Sequence, residues 1–573
     1  MEKSARLVKA SARVAHKRVA VRSRVRQFGE MPKTFFITTA IYYTNSSPHV
    51  GHAYEMVLAD VIARYHRLKG EKVFFLTGVD QHGQKVQQSA AKAGIPPAEF
   101  VKGITQKWVD LGKKLDVQYD EWAETTSERH KKVVRGILQR LFDEGQIYKD
   151  KQSGYYSVRQ EQFLTDKERG PDGEFGPEWG QVEFREEENY YFKLSQHKEW
   201  LLQYLDHRAD AVIPDFRQTE LRNAVEKISG NRQSGSDLCI SRPKSRLDWG
   251  IELPFDKDFV TYVWFDALTN YISFAGYDPS LSTINSQPST FRDKWPALQI
   301  IGKDILVPAH GIYWLIMLHA IDFPDDQMPQ LLVHGWWNIG GAKMSKSVGN
   351  IIDPFALADK YGAEALRYYL ISEIVTGSDA DFREESLVAE YNHALANTLG
   401  NLVNRTLNMI HRFRQGMIKS IDLTVLAESE VRSHLQVWSE GELKDGQAFY
   451  RDKFIEFRPS NALSAPLARA LACNALVEIS APWKLAKDQQ QEKLLDAVLY
   501  HLAESLRIMA IWISPVLPQA AHGIFDQLNW RMEKELSGKE ERFSLKDAEW
   551  GKLPDGHGVG TPVPLFPKIE ISA

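Results

Sequence analysis

Between residues 34 and 80 the chain reads as strand, helix and strand, and that order permits few folds. Thr34-Phe-Phe-Ile-Thr-Thr-Ala-Ile-Tyr-Tyr43 is an apolar, β-branched and aromatic run of strand length, ended by Asn45-Ser-Ser-Pro48. Ala53, Met56, Val57, Val61, Ile62, Tyr65 and Leu68 then recur at roughly helical spacing until Gly70. Lys72-Val-Phe-Phe-Leu-Thr-Gly-Val-Asp80 reads as a buried strand, followed by a helix over about 83–93. Two strands joined through a helix lie parallel with a right-handed crossover. Ligands of such sheets sit beyond the carboxyl ends of the strands, which is where His49, His52 and Asp80 fall.

A 573-residue chain is too long for one core and is expected to divide into three or four domains. Its 43% hydrophobic and 25% charged content is that of an ordinary globular protein. The two cysteines, Cys239 and Cys473, supply neither a disulfide framework nor a four-thiolate zinc site. That usage fits a reducing compartment, and a cytoplasmic location is expected. The most apolar stretch, residues 300–323, is interrupted by Lys303, Asp304, His310 and His319, so no membrane span is expected. Net charge is −4, but residues 1–30 hold nine Lys/Arg against two acids and leave −11 for the remainder. Local patches rather than the total decide whether phosphate is bound. Three readings of the basic arm stay open: a disordered RNA-binding arm, an organelle transit segment, or translation from an upstream start with Met31 as the true beginning. The last is favoured, because fold signal begins at Lys33.

From about 145 to 250 the periodicity weakens. Gly170-Pro-Asp-Gly-Glu-Phe-Gly-Pro177 is a turn cluster and Glu186-Glu-Glu188 a solvated charge run, which together read as an insertion between two halves of the sheet. The sheet is expected to resume with strands over 259–265, 298–302 and 330–334. Beyond Asp353 helical spacing dominates, with Leu395, Leu399, Leu402, Leu407 and Ile410 in one helix. The end, Pro562-Val-Pro-Leu-Phe-Pro567, is expected to be a stiff extended tail.

His49-Val-Gly-His52 places two imidazoles and a glycine where the first strand turns into the helix. A helix N-terminus aims backbone N–H groups at an anion, and its dipole favours negative charge. Gly51 lets a phosphate approach where a side chain would collide, and His49 and His52 add donors as charge grows. Far downstream, Lys343-Met-Ser-Lys-Ser347 follows the glycine pair Gly340 and Gly341 and puts two ammonium groups on a loop. Either motif alone is weak, the first being readable as a helix cap with a packed histidine and the second as a solvated loop. In this order they make a site for a triphosphate whose α-phosphorus is attacked.

The pair resembles the HIGH and KMSKS motifs of class I aminoacyl-tRNA synthetases. Thr38-Thr-Ala-Ile-Tyr-Tyr43, Gly78-Val-Asp-Gln-His-Gly83, Tyr262-Val-Trp-Phe-Asp266, Gly302-Lys-Asp304, and His310 with Trp314 look like segments of the methionyl-tRNA synthetase family. The resemblance runs from about residue 33 to 570. It implies an α/β Rossmann-like parallel-sheet catalytic domain with an inserted connective-peptide domain, followed by an all-α anticodon-binding bundle. The divisions expected from it are a basic, disordered extension over 1–31, the first half of the catalytic fold over 32–145 and the connective peptide over 146–250. The second half of the catalytic fold follows over 251–345, then the KMSKS loop and stem-contact region over 346–390, the helical anticodon-binding domain over 391–552 and a tail over 553–573.

Carried over by position, the resemblance implies catalytic roles for His49, His52, Lys343 and Lys346, with ATP contacts from these, Gly51, Gly302 and Asp304, the last two at the ribose. It implies Asp80 on the α-ammonium of L-methionine, and Ile41, Tyr43, Trp264, Ala267, Tyr271, His310 and Trp314 around the thioether. Elementary chemistry agrees: thioether sulfur gains roughly 0.3–1.5 kcal/mol from each aromatic contact, and residues four apart, such as His310 and Trp314, share a helix face. A tyrosine hydroxyl or histidine N–H beside the sulfur would add orientation. Leu268 stands where relatives often have proline and is left out of the expected pocket.

No cysteine occurs between residues 154 and 193, so the thiolate zinc knuckle of many relatives is excluded and no structural zinc is expected. ATP is expected with Mg²⁺ held mainly by phosphates and water. The insertion is small for a separate editing domain, which leaves rejection of homocysteine to the synthetic site. Asn401 and Arg405, one helical turn apart, and Trp483, a stacking platform, look like the family's anticodon-reading positions. The implied partners are L-methionine and tRNA(Met), the initiator included. A monomer is expected, because the chain ends near the helical domain without an appended oligonucleotide-binding domain. The implied activity is a methionine–tRNA ligase. One alternative, another nucleotidyl transferase of the HIGH superfamily, is opposed by the long helical half. The other, a catalytically inactive synthetase-like RNA-binding protein, is opposed by intact His49, His52, Asp80, Lys343 and Lys346. On this reading Lys346→Ala slows methionyl-adenylate formation by more than about tenfold and leaves methionine affinity nearly intact; an unchanged single-turnover rate would refute the role.

Overall fold

The computed structural model describes residues 34–157, 162–164, 166–170, 172–228, 237–344, 349–531 and 542–570. Strand β1 (Thr34–Tyr43), helix α1 (Val50–Leu68) and strand β2 (Lys72–Asp80) form the unit expected from the periodicity, with β2 parallel to β1. Helices α2 (Gln84–Ala93) and α3 (Pro97–Lys114) lead to β3 (Glu121–Glu124), and α4 (Glu128–Asp143) leads out to a long antiparallel pair, β4 (Ile147–Ser157) with β5 (Val182–Phe192). The chain then supplies β6 (Val212–Ile213), the short helix α5 (Val263–Leu268), β7 (Ala297–Gly302) and β8 (Gln330–His334).

The central sheet runs β3-β2-β1-β7-β8-β6 with every neighbouring pair parallel. Strand order reverses between β1 and β7, which opens a crevice at their carboxyl ends. Both faces of the sheet are covered, as a parallel sheet requires. Phe36 points into a core shared with α4 and the insertion, while its neighbour Ile37 points into one shared with α1 and the helical half.

Two expectations change. Residues 259–265 are not a strand of the central sheet: Phe259–Thr261 pairs antiparallel with Ser241–Pro243, and α5 begins at Val263. The run is mostly apolar, and a short helix in such a run cannot be told from a strand by hydrophobicity alone. Nor does the insertion over 146–250 stay outside the sheet, because β6 is the sheet's edge strand and pairs with β8 at Leu331 and Leu332. Two residues of pairing leave no period to read. Residues 1–31 and residues 345–347 of the second motif lie outside the described residues.

Beyond Asp353 the chain is mostly helical, with α6 (Ala363–Ser372), α7 (Asn401–Arg414), α8 (Ser464–Ser480) and α9 (Glu492–Ile513) among its elements. Leu395, Leu399, Leu402, Leu407 and Ile410 are all buried. One segment, Pro459–Leu485, has the length and composition to cross a membrane; here its helix α8 packs against α9. Residues 562–567 carry no helix or strand, yet Phe566 is buried with its ring edge-on to Tyr391.

Helix α1 is held between the sheet and the helical half. Tyr65 stacks on Phe454 with centroids 4.0 Å apart. Asp60, fully buried at the helix middle, accepts from Arg367 Nη2 and Arg64 Nε, each at 2.7 Å. Arg367 gives its other donors to the carbonyls of Leu115 (2.9 Å), Val516 (2.9 Å) and Pro515 (3.0 Å). Truncating one partner of a buried ion pair costs about 3–5 kcal/mol, because the remaining charge is left uncompensated. Arg367→Leu is therefore expected to lower the thermal midpoint by several degrees; a variant that melts with the wild type would show that the junction is dispensable.

Candidate active site

The crevice at the strand-order reversal is a cavity of about 420 Å³. Its floor begins at the turn from β1 into α1. His49 is the N-cap of α1, and its Nδ1 accepts from the Gly51 N–H at 3.1 Å. His52 Nδ1 in turn accepts from the His49 N–H at 3.2 Å, closing a reciprocal capping box. A neutral imidazole that accepts at Nδ1 carries its proton on Nε2, so the backbone sets both rings as Nε2–H donors. Gly51 is required by the cap itself, since a Cβ there would lie 2.9 Å from His49 Cε1.

On the other side of the crevice the pocket wall comes from α5 and the segment after β7. His310 Nδ1 lies 3.1 Å from the Ile305 carbonyl, which can only accept, so His310 Nε2 must accept from the Tyr271 hydroxyl at 2.7 Å. Burial pushes His310 down to about 4, which keeps the ring neutral. Both protons are thereby committed to protein partners. The Tyr271–His310 pair therefore presents a fixed aromatic surface to the cavity. Asp80, at the carboxyl end of β2, is 6% exposed and lines the cavity.

Across the mouth, Asp304 Oδ2 meets Lys343 Nζ at 3.0 Å and Oδ1 accepts from Trp336 Nε1 at 3.2 Å. Burial works against the charge on Asp304, but the Lys343 ammonium and these hydrogen bonds outweigh it and hold the carboxyl below the usual range. Gly302 admits this arrangement, because a Cβ there would sit 2.7 Å from Asp304 Oδ1. Lys343 ends a hairpin whose two-residue turn is Gly340 and Gly341, at φ +58° and +77°, the left-handed pair such turns demand. Its ammonium also lies 4.0 Å over the Trp336 ring.

The cavity is lined by Ile41, Tyr43, His49, Gly51, His52 and Asp80 from the first strand–helix–strand unit. Trp264, Ala267 and Tyr271 line a second side, and Gly302, Asp304, His310 and Lys343 a third. Lys346 lies outside the described residues. Trp314 stands one layer back: its ring lies behind Tyr271, centroids 5.6 Å apart, and its indole N–H donates to Gln299 at 3.1 Å. The segment Leu306–Trp314 is π-wound and kinked at Val307; His310 and Trp314 both pack on the Tyr271 ring, but of the two only His310 reaches the cavity lining.

Leu268, left out of the expected pocket, does line the cavity, and several other lining residues were not singled out from sequence: Glu55, Lys85, Tyr262, His334 and Trp336. Glu55 had a signal, being an acid inside an otherwise apolar stretch of α1. Its Oε1 accepts from the Ala40 N–H at 3.1 Å, beside an irregularity in the register of β1, and its Oε2 meets His334 Nε2 at 2.9 Å. Burial opposes a charge on His334, but Glu55 beside it raises its pKa. With His334 Nδ1 on the Gly335 carbonyl at 2.7 Å, both ring nitrogens face acceptors. His334 also ends β8, where the strand-end rule would have pointed.

In the helical half, Asn401 is exposed and Arg405 pairs with Glu478 of α8 at 2.7 Å. Helix α8 ends three residues before Trp483: Ala481, at φ +42°, leads into the short helix Pro482–Leu485, which carries the 41% exposed Trp483.

A family model described as tRNA synthetases class I (M) matches residues 35–172 and 179–407. A methionine–tRNA ligase of Halalkalibacterium halodurans is 38% identical over 559 residues, covering 94% of this chain and 79% of that protein. One of Bacillus subtilis is 38% identical over 557 residues, covering 94% and 78%. Among solved structures, Mycobacterium tuberculosis methionyl-tRNA synthetase in complex with methionyl-adenylate matches with a TM-score of 0.81 at 34% identity, covering 93% of this chain and 100% of that one. Its apo form matches with a TM-score of 0.75 at 30% identity, covering 95% and 100%.

Burial of neutral His310 carries a pH signature. The unfolded chain takes the proton near pH 6.5 and the folded chain only near 4, so stability falls as pH drops through that window. Thermal midpoints measured from pH 7 to 4 are expected to fall less steeply in His310→Gln than in the wild type; parallel curves would show that the ring is not neutral when folded.

Proposed function

The chain belongs to the methionyl-tRNA synthetase family of class I, and we propose that the cavity between β1 and β7 is where it does that family's chemistry. It is an ATP-dependent ligase: it activates L-methionine with ATP to methionyl-adenylate and pyrophosphate, then transfers the methionine to the 3′-terminal adenosine of tRNA(Met). The observation that carries the residue assignments is convergence. Two motifs far apart in the chain line one cavity, opposite an aromatic pocket with a carboxylate at its edge.

In the first step a methionine carboxylate oxygen bonds to the α-phosphorus of ATP, and the bond to the bridging oxygen of pyrophosphate breaks with its electron pair. The protein aligns two anions and stabilises the charge moving onto the phosphates. Asp80 takes the methionine ammonium, while Ile41, Tyr43, Trp264, Ala267 and the Tyr271–His310 pair enclose the side chain. His49 and His52, held as Nε2–H donors by their capping bonds, face the α-phosphate at the N-terminus of α1. Asp304 and the backbone at Gly302 hold the ribose. Lys343 then exchanges Asp304 for the β- and γ-phosphates, joined there by Lys346. An ammonium that engages chiefly as pyrophosphate departs lowers the barrier more than it tightens binding.

Mg²⁺ enters with ATP and is held by its phosphates and water; among the described residues no three His, Cys, Asp or Glu side chains converge to cage an ion. Zinc is not part of the protein on this reading. The support is the cysteine inventory, for Cys473 is buried in the helical core and Cys239 Sγ is engaged by Arg242 at 2.9 Å. Two free thiols also favour a reducing, cytoplasmic setting. A monomer suffices, since every residue assigned above comes from one chain. Asn401, Arg405 and Trp483 read the anticodon, which elongator and initiator tRNA(Met) share.

Methionine-dependent ATP–pyrophosphate exchange, with the other amino acids as controls and metal analysis of the same preparation, tests the reading. Exchange with methionine alone and no stoichiometric zinc are expected. In parallel, Trp483→Ala is expected to weaken tRNA aminoacylation and spare the exchange reaction; equal loss in both assays would make Trp483 a folding residue.

A further inference from the structure

Behind the cavity wall lies a buried cluster that the steps above do not use. Asp266, on α5, is 1% exposed, and each of its carboxylate oxygens meets an imidazole. Oδ2 lies 2.8 Å from His82 Nδ1, and Oδ1 lies 2.9 Å from His130 Nε2. The other nitrogen of His130 faces the Ser273 hydroxyl at 2.8 Å. Burial pushes the Asp266 carboxyl up, but the charge and hydrogen bonds of His82 and His130 outweigh it and hold it at about 2.

The cluster joins three elements that bear on the cavity. His82 lies two residues past Asp80, and its backbone N–H points at Asp80 Oδ1 from 3.4 Å. The same loop is pinned from outside by Trp249, whose indole N–H donates to the Gln81 carbonyl at 2.6 Å and whose carbonyl accepts from the Gly83 N–H at 3.2 Å. His130 anchors the cluster to α4. Asp266 itself sits in the helix whose Trp264, Ala267 and Leu268 line the cavity. One carboxylate thus ties the loop that carries Asp80 to the wall on which a bound side chain ends.

We propose, on the reading of the cavity given above, that Asp266 is a positioning residue that sets the length of amino acid the enzyme accepts. Through His82 it holds α5 at one distance from Asp80, so the space between ammonium anchor and aromatic wall cannot stretch. Rigidity matters because an added methylene in an apolar pocket is resisted by only roughly 10–200-fold, and a wall that yields loses even that. A carboxylate suits the task, since it can accept from both imidazoles at once. An amide of the same shape has one acceptor oxygen and an NH₂ that meets the other ring's N–H as donor against donor unless that ring changes tautomer.

The test is ATP–pyrophosphate exchange by the full-length wild type, Asp266→Asn and Asp266→Ala, with L-methionine and with L-ethionine, which is one methylene longer. In Asp266→Asn the KM for methionine is expected to rise, and the preference for methionine over ethionine to fall, by about tenfold, while the KM for ATP stays within about twofold. Should Asp266→Ala fail to fold, as judged by its thermal midpoint, the Asn variant carries the test alone. A preference ratio equal to that of the wild type, or a kcat that falls equally for both amino acids with ATP KM rising in step, overturns the proposal and leaves Asp266 a residue of the core. A wild-type chain without methionine-dependent exchange overturns the reading of the cavity itself.

Discussion

Asp60 and Arg367 meet where three parts of the chain converge, both side chains fully buried. A buried ion pair has no intrinsic advantage over apolar packing of the same volume, so its importance lies in what else the guanidinium binds. Leu115 is the C-cap of α3, and Pro515 and Val516 lie just past the end of α9. Carbonyls at helix ends lack partners within their own helix, and Arg367 supplies donors to all three. The same side chain anchors α1, whose N-terminus opens on the cavity and whose far end stacks against the helical half through Tyr65 and Phe454. The placement of His49 and His52 relative to the rest of the enzyme descends from that junction.

Within the cavity the backbone decides what each imidazole can do. His49 and His52 accept amide protons at Nδ1 and are left as donors at Nε2. His310 gives its Nδ1 proton to a carbonyl, so its Nε2 accepts. His334 faces acceptors at both nitrogens. One residue type, with an unperturbed pKa near neutrality, is thereby divided into Nε2–H donor, neutral pocket wall and carboxylate partner. Amides and carbonyls in regular structure do not reorganise when substrate arrives, and such preorganisation is what makes donors effective toward developing charge.

Much of this frame was legible in the residues. The unit β1–α1–β2 could be read because period and turn chemistry are local, and the ends of its strands located His49, His52 and Asp80 in advance. The apolar helix with Leu395, Leu402 and Ile410 was legible for the same reason. Legibility failed where local patterns are degenerate. An apolar run such as 259–265 has the same composition as strand or helix, a two-residue edge strand has no period, and a shared helix face does not say which of its side chains reaches the cavity: His310 and Trp314 both pack on Tyr271, yet Trp314 lies one layer behind the pocket with its indole on Gln299.

What the sequence by itself determined, then, is which elements form and which of their ends carry reactive side chains, because those properties depend on neighbours within a turn or two. Only the tertiary structure decided partners: Glu55 with His334 across 279 positions, Asp266 between His82 and His130, Arg367 on the carbonyls of two helix ends. Such pairings depend on where the sheet reverses its strand order and how the helical half docks on it. No periodicity encodes them, since a hydrogen-bonding group in the sequence does not reveal which distant group the fold will bring within reach.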